Sequence, residues 1–334
     1  MADLFCHYDS RRYIIKMDIF SAIIQGIVQG LTEFLPVSSS GHLAISQHIL
    51  GMQESNLFFS VMLHVGTLAA VVAVYFKLII RLIRAFCLMV KDIFTGQFKW
   101  EKMDGERNLV MMLIIGLIPL FLLFLPIPGT DMKIKDLADK WTADGYLIIV
   151  SLSLIMTSIL LYAGNRENKL TTQLYAKKGK LRNGQAGRRR YNIIDALSVG
   201  LIQCVAAVFP GISRSGSTLA ISELRRINKQ AALDYSFVLG IPAILAAAVL
   251  EGKDALFPAD GSQVNIEYFP VIIGMITSAI VGFFAIKLFK WLLSTDRMYV
   301  FILYTAVIGG VMLVISIIEL CLGTNIFTGN SLNF

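Results

Sequence analysis

Six stretches of the chain, 57–76, 109–128, 146–163, 235–250, 269–286 and 299–318, are almost wholly apolar and nearly free of charge. Each approaches the roughly 20 residues a helix needs to cross the hydrocarbon core of a bilayer. Only helices and closed barrels satisfy every backbone group in lipid, and unbroken apolar runs of this length predict helices. Two further apolar regions are interrupted. Residues 19–35 and 41–50 flank a polar turn containing Pro36 and Ser38-Ser-Ser-Gly41; 193–209 and 217–224 flank another containing Pro210 and Ser213–Gly216. Each piece is too short to span, and irregular backbone at membrane depth is tolerated only where it is buried in protein or lines a cavity. The pattern predicts two re-entrant helical hairpins.

The interrupted regions are related to one another. Gly26, Gln29 and Pro36 fall on Gly200, Gln203 and Pro210 at a constant offset of 174, and Leu43–Ser46 falls on Leu219–Ser222 at 176. Ser60 and Leu63 match Ser236 and Leu239 at that second offset, and Ile114-Ile-Gly116 resembles Ile272-Ile-Gly274. The expected fold is therefore an all-α polytopic membrane protein built as a repeat. After an N-terminal extension (1–18), unit 1 covers 19–163, a basic linker 164–192, unit 2 193–320 and a C-terminal tail 321–334. Each unit is a re-entrant hairpin (19–50; 193–224) followed by three spans. An odd number of crossings makes the second copy enter from the opposite face, an inverted-topology repeat.

Composition agrees. The 334 residues are 56% hydrophobic and 16% charged, against roughly a quarter charged in a soluble domain. The net charge of +7 is placed for a membrane and not for nucleic acid. Segment 77–107, linker 164–192 with Arg188-Arg189-Arg190, loop 225–229 and segment 287–297 are rich in Lys and Arg; 251–268 holds only Lys253, and the tail after 320 has no charge. Placing the rich segments in the cytoplasm satisfies every crossing, although loop 127–145 carries three Lys and Arg11-Arg12 falls on the outer side. Lys77, Arg81, Arg84 and Lys91 share a helical face suited either to anionic lipid or to solvent. Cys6, Cys87, Cys204 and Cys321 have no C-x-x-C or metal spacing and read as free thiols. The basic start followed by an apolar run lacks a small-residue cleavage site, so no cleaved segment is expected.

Ionisable groups inside membrane segments are costly and mark functional candidates: here Glu33, His42, His64 and Arg214, with Glu223 near a helix end. Hairpins entering from opposite faces would bring Glu33, His42 and Arg214 together near the midplane. Phosphoryl transfer is the chemistry these groups suit. Arg214 offers a planar fork for phosphate oxygens within a turn, Ser213, Ser215 and Gly216, that opens a helix whose free N–H groups bind anions. Ser38, Ser40 and Gly41 occupy the matching place in the first hairpin. Ser39 and His42 are three apart, so His42 could activate Ser39. Attack by water or by His42 also fits the sequence, but Ser39 as nucleophile with His42 as its base is the favoured reading. Gln29 and Glu33, four apart, could both offer oxygen to Mg²⁺ or Ca²⁺. His64, on an apolar span, reads as a packing residue. Inverted repeats with broken helices also describe secondary transporters, which leaves a lipid-phosphate carrier or flippase as the alternative.

At these residues the chain resembles the bacterial undecaprenyl-diphosphatases, also called bacitracin-resistance proteins. Gln29-Gly-Leu-Thr-Glu-Phe-Leu-Pro-Val-Ser-Ser-Ser-Gly-His42 and Pro210-Gly-Ile-Ser-Arg-Ser-Gly216 stand as the family's two signatures, and the likeness runs from about residue 19 to 320. The resemblance implies a hydrolase taking undecaprenyl diphosphate to the monophosphate at the outer face of a bacterial inner membrane. It implies divalent-metal dependence and a role in recycling the carrier for peptidoglycan synthesis. The family's functional positions fall on Gln29, Glu33, Ser39, His42, Ser213 and Arg214. Many members carry Glu where this chain has Gln29, which puts a two-carboxylate metal site in question. The expected partners are the polyprenyl diphosphate lipid and the bilayer, with no nucleic acid; a homo-oligomer is compatible with the sequence.

Overall fold

The computed structural model describes residues 18–50, 57–100, 103–130, 132–143, 147–179, 181, 186–256, 267–329 and 331. The N-terminal extension apart from Asp18, Cys6, and the centres of the linker and of loop 251–268 lie outside the described residues. The fold is all-α. In chain order the helices are α1 (Ile19–Thr32), α2 (Ser39–Leu50), α3 (Leu57–Phe94), α4 (Gly105–Leu117), α5 (Ile134–Ala143), α6 (Leu147–Lys177), α7 (Ile193–Val208), α8 (Arg214–Leu224), α9 (Lys229–Leu256), α10 (Tyr268–Ser294) and α11 (Tyr299–Leu322). Six segments are long and apolar enough to cross a membrane, and they contain all six apolar stretches of the sequence except at their edges. The short helices α1 and α7 are apolar but do not reach spanning length.

Local chemistry sets the ends. Asn192 and Asp195 form a capping box on α7, each side chain taking the other's backbone N–H. Asp104 caps α4, Ser213 caps α8, and Gly323, at φ 68°, closes α11. α1 and α7 both stop just short of a proline, Pro36 and Pro210, because the residue before proline is driven out of helical conformation.

Three elements differ from the sequence expectation. α3 does not end at residue 76 but continues unbroken to Phe94, and α6 continues to Lys177, taking in the first half of the basic linker. Lys and Arg end a membrane crossing without ending a helix, since both are good helix formers. The span expected at 109–128 is α4 followed by a 3₁₀ stretch, Ile118–Phe124, with a proline in its first turn. Loop 127–145 contains the amphipathic α5. Among the described cysteines, Cys87, Cys204 and Cys321 are free.

The hairpin of one half packs on the spanning helices of the other. α1 lies on α10 and α3, while α8 lies on α6 and α9. The contacts are close enough to demand glycine: a Cβ on Gly26 would fall 2.7 Å from Gly274 O, and one on Gly200 would fall 2.3 Å from Gly116 O. Gly26 and Gly200 are repeat mates, as are Gly274 and Gly116. An aromatic chain runs through the core beneath the first hairpin, with Phe34 against Phe237 at 5.3 Å, Phe237 against Phe289 at 5.8 Å and Phe289 against Phe301 at 5.3 Å. Such pairs contribute about 0.5–1.5 kcal/mol each beyond their burial. Phe34 is fully buried, which anchors the backbone at its neighbour Glu33.

Candidate active site

The two hairpin turns meet, and each is built the same way. Ser38 Oγ accepts the Gly41 N–H at 3.2 Å and lies 3.3 Å from Ser40 Oγ. Ser213 Oγ accepts the Gly216 N–H at 3.1 Å and lies 3.3 Å from Ser215 Oγ. In both, the first serine hydroxyl satisfies a free N–H at the start of a helix. Ser38 holds φ 74°, a left-handed conformation costly for a side-chain-bearing residue and concentrated at functional sites. Gly211 holds φ 102°, and a Cβ there would fall 2.6 Å from Val150 O.

Direct bonds join the turns. The Gly211 N–H donates to Ser40 Oγ at 3.4 Å, and Ser215 Oγ donates to Leu35 O at 3.1 Å. Thr157 of α6 fastens the second turn by accepting the Ser213 N–H at 3.0 Å and donating to Gly211 O at 3.2 Å. The hydroxyls of Ser38, Ser213 and Ser215 are thus held within the protein, whereas Ser40 is exposed at the surface of the turn.

Glu33 is the centre of the site. Its side chain is almost fully buried, and Arg214 Nη2 from the opposite hairpin donates to Oε1 at 2.5 Å. On the other oxygen, Oε2, Gln29 Nε2 donates at 2.9 Å and Ser39 Oγ at 2.7 Å. His64 Nε2 of α3 stands 3.7 Å from the same oxygen, and its Nδ1–H donates to Ser60 O at 2.8 Å. A buried carboxylate is tolerated when paired and hydrogen-bonded in this way. Gln29 Oε1 is buried with no hydrogen-bond partner, an unfilled acceptor beside Glu33. The guanidinium of Arg214 packs against Gly240 of α9 through Nη1, which would lie 2.0 Å from a Cβ there.

Gln29, Glu33, Ser39 and Arg214 therefore converge from both hairpins. His42 is turned elsewhere. Its Nδ1–H donates to Ser38 O at 2.8 Å, and its Nε2 takes the Tyr304 hydroxyl of α11 at 2.8 Å. The Ser39 hydroxyl is directed at Glu33 and not at His42. Ser39 opens α2, so its side chain folds back over the turn, while His42 sits in the body of that helix. Sequence reasoning set His64 down as a packing residue, where the structure places it beside Glu33, and did not bring in Tyr304 or Gly240. His64 carried a signal, an ionisable group in an apolar span, which its apolar neighbours masked.

The family described as bacitracin resistance protein BacA matches residues 22–311. An undecaprenyl-diphosphatase of Alkaliphilus metalliredigens is 37% identical over 304 residues, which cover 90% of this chain and 100% of that protein. Proteins of the same description from Methanobrevibacter smithii and Bacteroides fragilis are 35% and 33% identical, covering 91% and 90% of this chain and 100% and 99% of their own lengths.

Proposed function

The chain belongs to the family described as bacitracin resistance protein BacA, and from that premise we propose that its joined hairpin turns hydrolyse undecaprenyl diphosphate to undecaprenyl phosphate and inorganic phosphate. The observation that carries this reading is the chain of contacts Ser39–Glu33–Arg214: a hydroxyl on a carboxylate, with a guanidinium on the carboxylate's other oxygen.

In this mechanism the terminal phosphoryl group lies between Ser39 and the free N–H groups of Arg214, which bind phosphate oxygens as a planar fork. Ser39 Oγ attacks the terminal phosphorus while its proton passes to Glu33 Oε2, so the carboxylate is the base. The bond from that phosphorus to the bridging oxygen breaks, and undecaprenyl phosphate departs, taking the proton from Glu33. A water then attacks the phosphoserine, giving one proton to Glu33. Inorganic phosphate leaves as that proton returns to Ser39. A side chain held at the diphosphate has a large effective concentration over a diffusing water. Arg214 stabilises charge on the transferring oxygens, the main contribution a protein makes to phosphoryl transfer. His42, locked between Ser38 and Tyr304, shapes the wall of the site beside Ser39.

Gln29 and Glu33 suit a hard divalent cation, Mg²⁺ or Ca²⁺. The unpartnered Gln29 Oε1 and the adjoining carboxylate are both oxygen donors of the kind these ions take. Among the described residues no group of three or more acidic, His or Cys side chains gathers as a metal site, so these two would be the protein's share and phosphate and water the remainder. Bound there, the ion would supply charge neutralisation at the diphosphate.

We further read the protein as an inverted repeat in the bacterial inner membrane, with the site opening to the outer face. The exchange of glycine contacts between halves, the twin serine caps and the concentration of cations at one end support this. Regenerating undecaprenyl phosphate on that face would recycle the carrier for peptidoglycan synthesis and oppose bacitracin. A carrier that only moves polyprenyl phosphate needs no hydroxyl on a carboxylate. Phosphate release from undecaprenyl diphosphate by purified protein, with and without EDTA, tests the reading; transport without release would overturn it.

A further inference from the structure

A cavity with charged residues in its lining lies away from Glu33. It measures about 550 Å³ and is an open groove lined by α3, α9 and α10, with Tyr75, Lys77, Arg81, Gln230, Asp234 and Lys290 supplying its polar lining. Along α3 its lining begins at Ala73, nine residues beyond His64, about 14 Å at the rise of a helix. A neighbouring cavity of about 300 Å³ shares Leu78 and Asp234 with it and adds Arg189 and Arg190.

The charge is uneven. Three cations face one carboxylate, and that carboxylate is already engaged: Asp234 Oδ1 accepts the Tyr75 hydroxyl at 3.0 Å and Gln230 Nε2 at 2.9 Å. Lys290 Nζ rests 3.8 Å above the Tyr75 ring, and among the described residues neither Lys77 nor Lys290 makes an ion pair. Arg81 pairs with Glu106 at 2.8 Å, but both side chains are about half exposed, where such a pair contributes little.

The position identifies the occupant. α3 is apolar up to Phe76 and turns basic at Lys77, α10 turns basic at Lys287 and Lys290, and α9 opens at Lys229. All three helices thus leave the apolar layer at this level, where lipid headgroups lie. Phe76 and Ile80 stand exposed on the adjoining face of α3, a surface for acyl chains. A soluble anion would use the cations but leave that surface without purpose. We propose that this cavity binds the phosphate headgroup of an anionic phospholipid, held by Lys77, Arg81 and Lys290, with the acyl chains against Phe76 and Ile80.

The test uses the full chain in nanodiscs of phosphatidylcholine doped with phosphatidylglycerol, followed by native mass spectrometry of the lipids retained. The wild type should retain phosphatidylglycerol in preference to phosphatidylcholine. The Lys77→Ala/Lys290→Ala double variant should lose roughly tenfold in that occupancy, as expected for removing two cations from a lipid surface site. Lys77→Arg/Lys290→Arg should keep it. Unchanged phosphate release in neutral detergent will show that the alanine variant is folded. Equal retention by wild type and alanine variant, or no preference for phosphatidylglycerol, would overturn the proposal. Lysine-dependent binding of inorganic phosphate to lipid-free protein, with no phosphatidylglycerol retained, would assign the cavity to a soluble anion and also overturn it.

Discussion

Arg214 Nη2 lies 2.5 Å from Glu33 Oε1, joining residues 181 apart in the chain and tying the turn of one hairpin to the turn of the other. The contact has two consequences. It neutralises a buried carboxylate, and it holds the guanidinium on the carboxylate oxygen opposite the one that takes the Ser39 hydroxyl.

Arg214→Lys should therefore remove most turnover while leaving a folded protein. An ammonium can keep an ion pair with Glu33 but cannot present a second pair of donors in a plane. Losing one strong transition-state contact typically costs about 10²–10³ in rate. Phosphate release and thermal unfolding of the purified variant would be measured together. Half of wild-type activity would make Arg214 a structural tie only.

Gly240→Ala tests the same geometry from behind. The added methyl would occupy the place of Nη1, pushing the guanidinium off its seat. Turnover should fall by about tenfold or more, as for a catalytic group displaced by the order of 1 Å. Gly310→Ala is the control, because a Cβ there meets nothing and activity should be unchanged. Equal effects of the two substitutions would contradict the seating of Arg214.

Gln29→Glu should preserve or tighten the dependence on divalent cations. It exchanges Nε2, which donates to Glu33, for an oxygen, so that a second carboxylate, a harder ligand, stands beside Glu33. Titration of activity with Mg²⁺ after EDTA treatment reads the change. Metal-free activity gained by the variant would show that the pair does not hold the ion.

Much of this architecture was legible in the sequence, for identifiable reasons. Apolar runs report spans directly, and the breaks at Pro36 and Pro210 report hairpins, because neither signal depends on distant contacts. The ends of α3 and α6 were not legible, since Lys77 and the cations that follow it stop a crossing without stopping a helix. The partner of Ser39 was also hidden. Spacing along an ideal helix points to His42, but Ser39 stands at the helix start, where the turn carries its hydroxyl back to Glu33. His42 finds Tyr304, 262 residues away, and His64 reaches Glu33 only through the packing of α3 beside the first hairpin. Contacts of that kind have no local signature.

Orientation in the membrane is open to labelling in intact cells. Single cysteines replacing Lys178 and Arg190 should be shielded from impermeant thiol reagents, whereas those replacing Lys253 and Gly329 should react. The expectation follows from the excess of Lys and Arg at one end of the molecule. The reverse pattern would place the site's opening on the other face.

Ser39, activated by Glu33, should form the covalent intermediate. Rapid acid quenching with undecaprenyl diphosphate labelled in its terminal phosphate measures this most directly. The account predicts an acid-stable phosphoserine at Ser39 in the wild type and none in Ser39→Ala, whose turnover should fall by about 10² or more. An acid-labile, base-stable adduct would move the role to His42. Absence of any adduct, with substantial activity in Ser39→Ala, would contradict the account and leave water as the nucleophile.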